Sequence, residues 1–389
     1  MNIGVVTYVR TDNYGAELQG YALQCCLRLM GHKAEALDID KKDIDSATFR
    51  TMAKDAIIKR IKRNPIDGIW QIITIGSRMM LAKFIHYEPS ELEKARKIAR
   101  EKAFLEFWDN AITHSKHIPL ENLDSTPMEY EALIAGSDQI WNYTRTSYLE
   151  PYFLTFAKEG VMKLSYAASF SVSSIPSERQ QNYRELINNI THISVRENEG
   201  VQLVKQLTGR DCKVVLDPTL LLDKDEWMKV ASDRIKINEP YIFTYSLNSS
   251  KGYWKIVHGY AQKHRLRIIN LRHDFSDHKI PSYQTDIFDA GPREFLYLLA
   301  NAKLVITNSF HGTIFSINFG VPFLSILNRV SETNSRIDSI LKNLEIEDRK
   351  LFDDEFDISR DIKPYSSKYS EILDSLRNES KKFLTDHLS

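Results

Sequence analysis

With 389 residues and 52 basic against 52 acidic side chains, the chain is long enough for two domains. It carries no global field that favours nucleic acid or an anionic surface. Three cysteines, Cys25, Cys26 and Cys212, give neither a disulfide framework nor metal-ligand spacing and read as cytosolic thiols; the first apolar run is too short for a signal peptide, and no uncharged run is long enough to span a bilayer.

Ile3 to Val9 reads as a buried strand, Arg10 to Gly15 as a polar loop, and Ala16 to Met30 as a helix with Leu18, Tyr21, Ala22, Cys25 and Leu29 on one face. Ala34 to Ile39 is the next strand. The loop lacks a GxGxxG fingerprint, which argues against a dinucleotide there. Its residues Asn13, Tyr14 and Gly15 suit a ligand and suit an ordinary strand-to-helix turn about equally. Residues 46–110 are helical in pattern and interrupt the alternation. Within them, residues 54–83 hold seven basic and two acidic side chains, a net +5, among many isoleucines. Such a region packs on its own domain or lies on an anionic membrane.

Alternation then resumes. Glu131 to Ala135 is a strand ending in Gly136-Ser137-Asp138-Gln139, followed by Ile140-Trp141-Asn142. Lys163 to Ala168 ends in Ser169-Phe170, Thr191 to Val195 in Arg196-Glu197, and Val214 to Leu216 in Asp217-Pro218-Thr219; a helix runs from Asn198 to Leu207. Polar residues thus recur at strand ends, where open α/β sheets bind ligands. Arg196 there suits a carboxylate or phosphate, or else pairs with Glu197 or Glu199. The second block has strands at Tyr241 to Ser246, Leu266 to Leu271, Leu304 to Thr307 and Phe323 to Leu327. Its helices are Gly252 to His264, Pro292 to Ala302, His311 to Phe319, Ile337 to Leu344 and a charged amphipathic one from Ser370 to Leu388. Between Thr307 and the helix that follows, Ser309, His311 and Gly312 sit where a helix N-terminus offers N–H groups to an anion. Ser309 is a hydrogen-bond donor or a helix cap, Gly312 admits a close ligand, and His311 carries a proton near neutral pH or is a half-buried polar residue. The expected fold is α/β: two Rossmann-like, doubly wound domains facing a cleft. Residues 1–222 form the first, with the helical insertion; residues 223–389 form the second, with the C-terminal helix.

Taken together, IGVVTYVRTDNYGAELQGYAL, GSDQIWN at 136–142, SYAASF at 165–170, SVRENEG at 194–200, VLDPTLLL at 215–222, GPREFLYLL, ITNSFHGTIFSINFGVPF and NSRIDSIL resemble, in order, the polysaccharide pyruvyl transferase family. They cover most of the chain outside roughly 41–128. The resemblance implies a GT-B-like fold and a cytoplasmic enzyme of exopolysaccharide biosynthesis. That enzyme moves the enolpyruvyl carbons of phosphoenolpyruvate onto two sugar hydroxyls as a ketal and releases phosphate. Two departures stand out: Ser309 occupies a position where some members carry Arg, and Ser171 one where Gly is frequent.

On that footing, Arg196, Arg336, Ser309 and Gly312 are expected to hold the donor, with His311 and then Asp138 as proton carriers. Asp138 also fits a plain helix cap. The saccharide acceptor, lipid-linked or not, is expected at Asn13, Tyr14, Gly15, Gln139 and Trp141; Trp141 stacks on a sugar or packs in a core. No metal, no cofactor beyond phosphoenolpyruvate as co-substrate, and no nucleic acid is expected, and peripheral membrane contact rests on residues 54–83. The rivals are a glycosyltransferase using a nucleotide-sugar and a non-catalytic glycan-binding member.

Overall fold

The computed structural model describes residues 1–40, 90–146, 148–247, 249–272, 281–329, 334–358, 362 and 365–388. Its strands are β1 Asn2–Val6, β2 Lys33–Ala36, β3 Ala132–Ala135, β4 Met162–Ala168, β5 His192–Val195, β6 Lys213–Val214, β7 Tyr241–Tyr245, β8 Arg267–Leu271, β9 Gln284–Ile287, β10 Leu304–Thr307, β11 Phe323–Leu327 and β12 Lys350–Phe352. They make two six-stranded sheets, in the orders β2-β1-β3-β4-β5-β6 and β12-β11-β10-β7-β8-β9. Every pairing is parallel. This is the two-part doubly wound α/β architecture that the alternation of elements predicts. The central strands β3, β7, β10 and β11 are buried along their whole length, as strands covered by helices on both faces must be. Strand order reverses between β1 and β3 and between β7 and β10. At such points neighbouring loops part to opposite faces and leave a crevice at the carboxyl ends.

The helices are α1 Tyr14–Leu29, α2 Glu91–Ala111, α3 Ser177–Asn188, α4 Asn198–Thr208, α5 Lys224–Met228, α6 Lys251–His264, α7 Pro292–Ala300, α8 Phe310–Phe319, α9 Asn334–Asn343 and α10 Ser367–Leu388. Helix α1 serves both halves. Its Leu23, Cys26 and Leu27 pack on Ile3, Val5 and Ile134 of the first sheet. Its Tyr14, Leu18 and Ala22 join Trp227, Phe295 and Phe315 in a cluster that spans the junction. Helix α2 starts at a capping box, Ser90 with Glu93, and adds Phe104, Phe107 and Trp108 to the same cluster. It is the described end of the helical stretch expected at 46–110; the basic part at 54–83 lies outside the described residues.

Helix α10 departs from its expected place with the second half. Tyr369 and Leu373 pack in the junction, and Phe383, Leu384 and Leu388 cover the first sheet beside Ile3, Val5 and Tyr166. The crossing segment is pinned from both sides. Arg377 Nε donates to the Leu220 carbonyl at 2.6 Å, Ser380 Oγ accepts from Leu216 N at 2.9 Å, and Asn318 Nδ2 donates to the carbonyls of Thr219 and Leu222 at 2.8 and 2.9 Å. No helix among the described residues is long and apolar enough to cross a membrane.

The return of α10 sets a stability expectation. Leu384 is fully buried. Leu384→Ala should cost about 2–5 kcal/mol, the range for a Leu truncated in a core. Urea unfolding reads it as a lower midpoint with unchanged slope. An unchanged midpoint would mean that α10 does not hold the first sheet.

Candidate active site

The carboxyl ends of both sheets converge on one buried cluster. The first half supplies Asp138 after β3, Arg196 after β5 and Asp217 after β6. The second supplies Phe310 and His311 at the start of α8 and Arg336 in the first turn of α9. All six are buried. Asp217 is the hub. Its Oδ1 accepts from Thr219 N at 3.0 Å and Thr219 Oγ1 at 2.7 Å; its Oδ2 accepts from Arg196 Nη1 at 2.7 Å and Ser137 Oγ at 2.9 Å. Burial pushes the Asp217 carboxyl up, but Arg196, His311 and these donors overcome it and hold the group below its ordinary range. Arg196 also lies 3.6 Å from Asp138 Oδ1 and 4.0 Å from Glu197 Oε2. Burial opposes its charge, yet the three carboxylates raise its pKa.

Arg336 is placed differently. Burial, with Arg196 beside it, pulls the Arg336 guanidinium down to about 10. Its Nε, like Nε and Nη2 of Arg196, is enclosed without a hydrogen-bond partner among the described residues. The Phe310 ring keeps both guanidinium carbons near its face, at 4.5 Å for Arg196 and 5.3 Å for Arg336. Buried guanidinium nitrogens without partners are what an anionic ligand would satisfy. A cavity of about 240 Å³ opens on Arg196, Asp217, Phe310 and Arg336, with Val215 and Ile314 among its apolar walls. A wider cavity, about 880 Å³ and lined by Asn2, Lys33, Glu35 and Tyr130, lies at the amino ends of the first sheet, away from this cluster.

His311 projects across the seam. A Cβ on Gly15 would fall 1.9 Å from its Nδ1, so the ring rests against bare backbone at the start of α1. Its Nε2 faces Asp217 Oδ2 at 3.9 Å and has no hydrogen-bond partner among the described residues. Burial lowers the pKa of His311, with Arg196 and Arg336 acting the same way and Asp217 and Asp138 opposing. Backbone strain gathers nearby: Asp138, Ala167 and Ser171 adopt φ of 72°, 53° and 51°. Left-handed residues other than Gly cost of order 1–3 kcal/mol each and persist where the surroundings enforce them.

The donor residues expected from the sequence, Arg196 and Arg336, thus meet His311 and Asp138 in one place. Ser309 and Gly312 lie beside them with their groups already engaged. Ser309 Oγ accepts from Gly312 N at 3.3 Å as the α8 cap, and a Cβ on Gly312 would fall 2.5 Å from Thr307 Oγ1. Gly312 therefore serves helix–strand contact.

The acceptor set divides. Trp141 is fully buried, stacks on Phe153 at 4.7 Å and donates Nε1–H to the Tyr152 carbonyl at 2.9 Å, so it belongs to the core and cannot stack on a sugar. Tyr14 is likewise enclosed, stacked on Phe295 at 5.0 Å with its hydroxyl donated to the Ala290 carbonyl at 2.7 Å. Asn13 Oδ1 caps α1 through Gly15 N and Ala16 N, and Gly15 seats His311. Gln139 stays half-buried beside the exposed Arg145, whose Nε reaches its Oε1 at 3.3 Å. Asp217 and Phe310 lie inside the marked motifs VLDPT and SFHG, but the sequence analysis singles out neither as a site residue.

The sequence model for polysaccharide pyruvyl transferase matches residues 13–329. A search of curated proteins finds no match. Among solved structures, the chain is similar to a UDP-GlcNAc 2-epimerase from Neisseria meningitidis bound to UDP-GlcNAc, at 10% identity and TM-score 0.47, over 100% of this chain and 99% of that one. It is also similar to a putative UDP-N-acetylglucosamine 2-epimerase from Listeria monocytogenes, at 10% identity and TM-score 0.45, over 98% and 97%. A third similarity is to Arabidopsis thaliana UGT89C1 complexed with quercetin, at 13% identity and TM-score 0.43, over 99% and 92%.

One buried acid near the cleft yields a pH expectation. Glu17, in the first turn of α1, accepts from Thr11 N at 2.7 Å through Oε1, while Oε2 has no hydrogen-bond partner among the described residues. Burial pushes its carboxyl from 4.5 up to about 8, against Thr11 and Arg10. The folded state therefore holds a proton that the unfolded chain releases. That stability is fully present below about 4.5 and is lost as pH rises through about 8. Glu17→Gln, neutral at every pH, should melt higher than the parent by a margin that grows from pH 6 to pH 9. At this chain length roughly 1 °C corresponds to each kcal/mol. Parallel melting curves across that range would place an ionised Glu17 in the folded protein.

Proposed function

The chain belongs to the polysaccharide pyruvyl transferase family. From that premise we propose that it transfers the pyruvyl group of phosphoenolpyruvate onto a sugar of a cell-surface polysaccharide or its precursor, as a ketal, with release of phosphate. The carrying observation is the pair of buried guanidiniums, Arg196 and Arg336, with unpartnered nitrogens beside His311. Phosphoenolpyruvate offers two anionic groups, a carboxylate and a phosphate, to such a pair. The 240 Å³ cavity opens on both guanidiniums. The reading carries with it a cytoplasmic site of action.

The chemistry asks for few groups. One sugar hydroxyl adds to C2 while C3 takes a proton and becomes a methyl group. A second hydroxyl then displaces phosphate at C2. Burial and the two arginines keep His311 neutral before the donor arrives. The charges of the bound donor favour the imidazolium, which gives its proton to C3. The neutral ring left behind takes the proton of the second hydroxyl as phosphate departs. Asp138, 3.6 Å from Arg196, takes the proton of the first hydroxyl and passes it to the departing phosphate, so that both proton carriers return to their starting states.

The two arginines should not be equivalent. Arg196 already has Asp217 at 2.7 Å, whereas Arg336 makes no carboxylate contact within ion-pair distance among the described residues. Arg336→Lys should therefore weaken phosphoenolpyruvate binding more than Arg196→Lys in calorimetry, because the planar fork is lost where it is freest. His311→Gln should keep donor binding and lose at least about 10²-fold in phosphate release with the acceptor present. Thermal shift with phosphoenolpyruvate against UDP-GlcNAc tests the donor class; a ligand at 100 times its Kd stabilises by about 2.7 kcal/mol. A shift with UDP-GlcNAc alone would overturn the reading.

A further inference from the structure

Asp217 does more than balance Arg196. One carboxylate oxygen, Oδ2, faces the guanidinium at 2.7 Å, the Ser137 hydroxyl at 2.9 Å and His311 Nε2 at 3.9 Å. The other oxygen is fixed by the backbone N–H and hydroxyl of Thr219, so the carboxylate plane cannot turn away. The imidazole is equally confined. Gly15 backbone lies against its Nδ1 edge, and Nε2 is enclosed with no hydrogen-bond partner among the described residues. Four charged groups bear on the ring: Asp217 and Asp138, Arg196 and Arg336. Of these, Asp217 is the acid in ion-pair range of Nε2.

We propose that Asp217 is the positioning residue of His311. It orients the ring so that the neutral imidazole carries its hydrogen on Nε2, toward the carboxylate. The separation is longer than a hydrogen bond, but a carboxylate at 3.9 Å in a buried site still aligns an N–H dipole toward itself. Which imidazole nitrogen holds the proton is set by what the other faces. Two further features then acquire a role. The absence of a side chain at Gly15 leaves room for the ring edge that bears Nδ1. Ser137 and Arg196 hold Oδ2 in place, so the anion seat and the proton carrier share one anchor. The catalytic consequence rests on the pyruvyl-transfer reading, but the placement of the hydrogen does not.

The test needs no donor. Histidine labelled with ¹⁵N and ¹³C, with His311 assigned by its loss in His311→Gln, reports the tautomer of the neutral ring from its nitrogen shifts. The expected pattern is hydrogen on Nε2 in the unmodified protein; hydrogen on Nδ1 would overturn the proposal even if phosphoenolpyruvate binds. In Asp217→Asn the titration midpoint of His311 should fall by about one pH unit, the scale of a neighbouring charge, and by more than in Asp138→Asn. A folded Asp217→Asn with an unmoved midpoint also overturns it. The tautomer measurement stands on the unmodified chain should Asp217→Asn fail to fold. Should phosphoenolpyruvate not bind while the Nε2 tautomer is found, the pyruvyl-transfer reading fails and the positioning role survives.

Discussion

A guanidinium cannot be enclosed without a partner except at a cost of several kcal/mol, and this constraint organises the seam between the two sheets. Arg196 meets it through Asp217, which four donors hold ionised. That arrangement depends on three separate strand ends, those of β3, β5 and β6, arriving together with their side chains aimed inward. The parallel order β3-β4-β5-β6 brings them there, because every strand in such a sheet delivers its following residues to the same edge. Arg336 shares the burial without the same compensation, and its depressed pKa is the electrostatic trace of that difference.

Apolar contact and charge are layered in the junction. Tyr14, Phe104, Phe295 and Phe315 form the aromatic part of a cluster drawn from both sheets. Helix α10 then returns to cover the first sheet. The charged cluster sits over this layer at the strand ends. A continuous apolar core across a domain boundary resists relative motion more than a polar interface does, so the cleft floor is firm while its rim, with half-buried Gln139 and exposed Arg145, stays open to a larger partner.

The alternation of apolar runs with amphipathic segments made the fold class legible, and the buried central strands were read nearly to the residue. The misses have physical reasons. Strand β9 reads Gln-Thr-Asp-Ile and β12 has three residues; both are edge strands, which need no apolar run. Helix α3, with mostly polar residues, shows little of a buried face. His311, Arg196 and Arg336, each at a strand end or helix start in the sequence, come together in one buried cluster. Trp141 and Tyr14 were misplaced because an aromatic next to a polar strand end has the same sequence signature whether it faces a ligand or a core. Only packing distinguishes them, and here Phe153 and Phe295 supply it. Asp217 was marked only as part of a polar strand end, and in the structure it is a cap as well: one oxygen serves Thr219 and the other Arg196.

The contact between Gly15 and His311 connects fold to chemistry most directly. The glycine opens a helix of the first half, and the histidine opens a helix of the second. Neither half alone encloses the imidazole. Its burial, the main cause of its lowered pKa, therefore exists only while the two sheets are held together by the aromatic layer and α10. The same closure brings Arg196 and Arg336 to one aromatic face, Phe310, whose neighbour in the chain is His311 itself. His311 and the two guanidiniums thus cannot be tuned independently. A change that loosens the junction hydrates the ring, raises its pKa toward the ordinary histidine value and weakens the guanidinium field in one step.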